Sequence, residues 1–117
     1  MLVFDLDEEH RRLEDSATDE PGTRGARTLL KEGPLRVTLV VLAPGGSIAE
    51  HRAQGPITVQ PLKGEFRFVA AGSVHDLRPG QLLCLEGGIR HSVSSAAGAE
   101  FLLTVVRAEA DEKRRER

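Results

Sequence analysis

Tryptophan and tyrosine are absent from the 117 residues, and Phe4, Phe66, Phe68 and Phe101 are the only phenyl side chains. No phenol is therefore available as a general acid, and no indole as a stacking platform for sugars or bases. Cysteine occurs once, as Cys84, which excludes an intramolecular disulfide. Its Leu-Leu-Cys-Leu-Glu setting predicts a buried, small apolar residue rather than an activated thiol. An excess of charge of one sign is also lacking: 16 basic and 18 acidic residues leave a net charge of −2, which offers no electrostatic footprint for nucleic acid or an anionic membrane. No basic leader precedes an apolar run at the N-terminus, and no stretch approaches the roughly 18 apolar residues of a membrane span. A soluble, cytoplasmic protein is expected.

What is present is short and punctuated. A chain of this length buries about two thirds of its surface on folding, enough for one core and one domain. Residues 1–25 hold the single helix candidate: Asp5 can cap it with Glu8 three residues on, Pro21-Gly22 ends the run, and Leu6, His10, Leu13 and Ala17 fall near one face. His10 belongs to the flank of that stripe. From Ala26 the period changes to alternation. Residues 26–31, 34–43, 57–62, 65–70, 73–77, 81–86, 91–95 and 100–106 read as short strands separated by Gly- and Pro-rich turns. That pattern predicts an all-β sandwich or small barrel, here over residues 26–107, and excludes a parallel βαβ arrangement. Residues 108–117 carry both charge signs and no apolar anchor, the composition of a solvated, disordered tail.

Two histidines stand in matching frames: His51 closes Pro-Gly-Gly-Ser-Ile-Ala-Glu-His from Pro44, and His91 closes the run from Pro79 through Gly-Gly-Ile-Arg-His. The frames resemble the two signature motifs of the cupins. In the first motif, Gly45 is followed after five residues by His51 and the closing glycine is Gly64; in the second, Gly80, Gly88 and His91 fall in register, with Glu86 in place of Pro and Ser95 in place of Asn. The resemblance covers most of the chain and implies a small jelly-roll barrel, a double-stranded β-helix, behind a short N-terminal helix or arm.

In metal-binding cupins a His-x-His pair, a Glu and the second-motif His coordinate a divalent ion. The resemblance places His51 and His91 at ligand positions, but Ala53 stands where the second His would be and Ile57 where the Glu would be. Two imidazoles leave most of the coordination sphere of a divalent transition metal to water, so a weak or empty metal site is expected. Gln60 could add only a neutral amide oxygen, and strand alternation turns it away from Ile57 and Val59 unless Pro61 or a bulge intervenes. His75 reads as a surface or edge residue.

The first functional expectation is a binding cupin in which His51 and His91, with Arg52 or Gln60, fix the polar end of a small molecule in an apolar barrel. The alternative is a metal-dependent oxygenase, isomerase or lyase using His51 and His91 as ligands. A metal-free epimerase would need a tyrosine acid that the chain lacks. Ser92 lies on the opposite strand face from His91, which argues against a hydrolase, and Glu50, Glu65 and Glu86 border turns as rim charges. A homodimer is expected, because Val40 and Leu42 would otherwise face water if the strand over residues 34–43 had a single buried face.

Overall fold

A computed structural model describes residues 1–16 and 24–107. Among them, the alternating segments form nine strands behind one helix, α1 (Leu6–Ser16). The strands are β1 (Arg24–Glu32), β2 (Leu35–Leu42), β3 (Ser47–His51), β4 (Ile57–Gly64), β5 (Phe66–Ala70), β6 (Ser73–Leu77), β7 (Leu83–Leu85), β8 (His91–Ser94) and β9 (Ala99–Val106). They assemble into two antiparallel sheets, ordered β1-β2-β9-β4-β7 and β3-β8-β5-β6. The expected barrel strands are all present. The strand ending in His51 adds β3, β1 begins at Arg24, two residues before the strand expected from Ala26, and His91 opens β8 as expected of the strand over residues 91–95. The expected helix stop at Pro21-Gly22 and the tail at 108–117 lie outside the described residues.

One side chain in two points between the sheets, as the period of a strand requires. Val40, Leu42, Ile57, Val59, Ala99 and Phe101 from the first sheet meet Phe66, Phe68, Ala70, Leu77 and Val93 from the second. Val40 and Leu42 are therefore core residues. The sequence-based parity of β2 is reversed: Leu39, Val37 and Val41 form the outer face. Leu39 is nonetheless 0% exposed, because α1 lies over this part of the sheet and packs Leu13 close to Gly25.

The helix starts as its sequence dictates, with the Glu8 amide donating to Asp5 Oδ1 at 3.1 Å. It is also held by charge: Glu9 pairs with Arg27, and His10 Nδ1 meets Glu100 Oε1 at 2.5 Å. Glu100 is only 3% exposed, and Lys63 Nζ lies 3.8 Å from its second oxygen. His10 thus fastens the helix to the sheet. Cys84 departs from expectation too: it is exposed. Strand β7 is a three-residue edge strand whose Leu83 and Leu85 pack on the core, so the residue between them must face outward with no strand beyond it.

Candidate functional site

His51 and His91 are directly opposite each other on β3 and β8. Regular alternation would not put them there. Ile48 pairs with Val93, and two residues farther along β8 comes His91, yet three residues farther along β3 comes His51. The extra residue is a β-bulge at Ala49-Glu50, and without it Glu50 would stand across from His91. The bulge brings His51 to the side of the sheet on which His91 lies.

The two rings lie 4.3 Å apart between centroids in a T-shaped arrangement at 61°. Each ring is fixed in the same way: His51 Nδ1 donates to the Ala49 carbonyl at 2.8 Å, and His91 Nδ1 to the Ile89 carbonyl at 2.9 Å. A carbonyl can only accept, so the neutral rings carry their protons on Nδ1 and keep a lone pair on Nε2. Phe68 stacks on His91, with centroids 5.3 Å apart and planes 11° from parallel. His91 is 5% exposed, whereas His51 is exposed, so the pair runs from the barrel interior to its rim.

The loops behind the pair are tied together. The Gly88 amide donates to the Ala53 carbonyl at 2.8 Å, and a methyl group on Gly87 would come within 2.7 Å of the Gln54 carbonyl oxygen. Only a residue without Cβ permits that approach, which fixes the chain leading into His91.

The other candidates separate. Arg52 is exposed at the rim, next to His51 in sequence. Gln60 is exposed on the face of β4 opposite to buried Ile57, Val59 and Pro61, so the bulge that could have turned it inward does not occur before it; the β4–β9 register shifts only between Pro61 and Lys63. Ile57 is part of the core and Ala53 packs against it. His75 is exposed on edge strand β6, and Glu50, Glu65 and Glu86 are exposed. The sequence does not announce the stacking of Phe68 on His91; the signal it offers is the Phe-Arg-Phe alternation, which sets Phe66 and Phe68 on one face.

Three cavities are lined by other residues: about 420 Å³ at the opposite end of β8, bordered by Arg67, Asp76 and Ser95; about 500 Å³ beside Met1, Leu2 and Phe4; and about 190 Å³ under His10, Lys63 and Glu100. The histidine pair lines none of these three spaces: His91 is buried and His51 is exposed at the rim.

Burial lowers the pKa of His91 from its ordinary 6.5, against the opposing pull of the Ile89 carbonyl and with a further push from His51. The unfolded chain then takes up this proton first as pH falls. The corresponding stability is complete above pH 6.5 and is lost as pH drops through the folded-state value. Melting temperatures of wild type and H91Q, followed by circular dichroism between about pH 7.5 and about pH 5, should diverge in slope, with the variant the flatter. Parallel curves would refute the assignment.

No protein-family model matches the sequence, and no curated protein is significantly similar to it. Solved structures are. The two facing antiparallel sheets are arranged as in solved cupin structures, and the chain has the cupin fold. It is similar to a conserved protein of unknown function from Streptococcus pyogenes, at 26% identity and a TM-score of 0.75 over 92% of this chain and 89% of the other. A cupin superfamily protein from Desulfitobacterium hafniense gives 18% identity and a TM-score of 0.72, covering 82% and 88% of the two chains. A protein described as a predicted oxalate decarboxylase from Thermotoga maritima gives 22% and 0.66, covering 73% and 81%. No helix among the described residues is long and apolar enough to cross a membrane.

Proposed function

We propose that this cupin binds a small molecule at the barrel mouth, with His51 and His91 holding its polar end, Arg52 at the rim, and no resident metal. The observation that carries the reading is the shared fixation of both rings: each Nδ1 is committed to a backbone carbonyl, which leaves two Nε2 acceptors on adjacent strands. A divalent transition metal would use the same lone pairs, at roughly 2.0–2.1 Å. The donor set does not fit a resident ion, however. Among the described residues no group of three or more His, Cys, Asp and Glu side chains could hold one, and Ile57 and Ala53 contribute only hydrocarbon where further ligands would be needed.

Elemental analysis of the untagged protein tests this reading. Substoichiometric metal is expected in wild type, H51A and H91A alike. Stoichiometric metal that disappears in both variants would favour the alternative instead, a metal-dependent oxygenase, isomerase or lyase with His51 and His91 as ligands; the Thermotoga maritima neighbour is described as a predicted oxalate decarboxylase. The reading includes a homodimer, supported by exposed Met1, Leu2 and Val3 and by the apolar groove that Met1, Leu2 and Phe4 form with Leu30 and Val37.

A further inference from the structure

A buried carboxylate joins the helix to the barrel. Glu100, near the start of β9, is 3% exposed, and its cross-strand neighbours on the outer face of the sheet are Val41 of β2 and Lys63 of β4. Helix α1 reaches the same group from above. His10 Nδ1 stands 2.5 Å from Glu100 Oε1, while Lys63 Nζ lies 3.8 Å from Glu100 Oε2 and 3.3 Å from Asp7 of the helix. A second buried carboxylate, Glu9, is 7% exposed; it pairs with Arg27 of β1 and lies 3.8 Å from Arg12 of its own helix. Strand β2 presents Leu39 and Val41 on this face and adds no titratable group.

Charge carries much of the docking, because Leu6 and Leu13 are the only apolar residues of the helix. A carboxylate held out of water is stable only while its partners stay in place. Those partners are not equally free to leave. Lys63 is 52% exposed and can turn its ammonium to solvent, whereas His10 is 19% exposed and reaches bulk water only if the helix lifts. A cavity of about 190 Å³ borders His10, Lys63 and Glu100, room enough for water to reach the carboxylate.

We propose that α1 is a detachable cover, latched to the five-stranded sheet by Glu100 and Glu9, and that acid releases it as a unit while the barrel stays folded. Neutralising Glu100 leaves protonated His10 and Lys63 as two cations beside a group that no longer holds either of them. Lifting the helix relieves their repulsion and carries the imidazolium into water. Neutral Glu9 gives up Arg27 in the same step. The open form takes up the protons, so falling pH favours it. Release uncovers Leu39, which is 0% exposed while the helix is docked, and turns a sealed part of the outer sheet into an apolar surface.

Backbone amide hydrogen exchange of the full chain, measured between about pH 7.5 and about pH 4 and corrected for intrinsic rates, tests the latch. The readout is the protection of α1 relative to β9. In wild type this ratio is expected to fall about ten-fold across the range. In E100Q, which carries a neutral isostere at every pH, it should already be low at neutral pH. Glu100 lies within the sheet and its replacement can harm folding, so H10Q, altered only on the helix, supplies the second reading. Without an imidazolium to expel, its ratio should fall less than about three-fold. Parallel loss of protection in α1 and β9 of wild type, wild-type protection of α1 in E100Q at neutral pH, or an undiminished fall in H10Q would each overturn the proposal.

Discussion

Phe68→Ala is expected to destabilise the protein by about 3–5 kcal/mol, close to the whole stability margin of many domains of this size. Phe68 is 1% exposed and sits in the middle of the core between the sheets, so the vacated space has rigid walls on both sides and can collapse only in part. Equilibrium urea unfolding followed by far-ultraviolet circular dichroism, the practical probe in a chain without tryptophan, should show the midpoint falling steeply. The same truncation should act on the site. Removing the ring stacked on His91 admits water beside the imidazole, relieves the burial that lowers its pKa, and moves that pKa back up toward the ordinary value. Phe66→Ala separates the two effects. Phe66 packs against Phe101, with centroids 4.8 Å apart, so its loss should cost similar stability and leave the His91 titration where it was. A stability loss below about 1 kcal/mol in Phe68→Ala, or equal His91 shifts in both variants, would contradict this account.

The sequence made the strands legible because each is short, alternates, and ends in a turn residue. The frames around His51 and His91 were legible for the same reason. The facing of β2 was not. Leu39, Val40, Val41 and Leu42 form an unbroken apolar run, and periodicity cannot choose between two apolar faces when both are buried. Here the second face is buried by α1, whose few apolar residues gave no sign that charged partners such as Glu9 and Glu100 would complete its docking. The apolar neighbours of Cys84 predict burial for a related reason, but a three-residue edge strand turns only alternate residues toward the core and leaves Cys84 exposed.

At the site, the residue types were readable and their arrangement was not. Nothing in Ser-Ile-Ala-Glu-His announces a bulge, and plain alternation from Ile48 would have pointed Glu50, not His51, at His91. A carboxylate facing an imidazole would form an ion pair. Two imidazoles locked through Nδ1 form a pair of acceptors, so one inserted residue decides what the mouth can bind. His75 was legible as an exposed edge residue, which it is, and only the register with Phe68 tells which face of the sheet carries it.

Gly64→Ala should be the most damaging single methyl addition among the turn positions, at about 3 kcal/mol or more. Gly64 closes the first motif frame and has φ of 73°, in the left-handed region that an alanine adopts only with strain. Space is the larger problem. A Cβ there would overlap the Gly98 carbonyl oxygen and stand 3.1 Å from the Ala99 Cα, both of them backbone at the start of β9, where Gly64 pairs with Ala99. A side chain can swing aside, but this backbone can yield only by opening the β4–β9 ladder that runs through the middle of the five-stranded sheet. Gly33 supplies the control. Its φ is 52° and nothing lies within 4 Å of an added Cβ, so Gly33→Ala carries the conformational strain without the collision and should cost about 1 kcal/mol. Urea midpoints of the two variants measured side by side separate the contributions. Equal losses would mean that positive φ alone accounts for this glycine, while a substantially greater loss in Gly64→Ala would identify the close approach of β4 to β9 as the reason the first motif ends in a residue without a side chain.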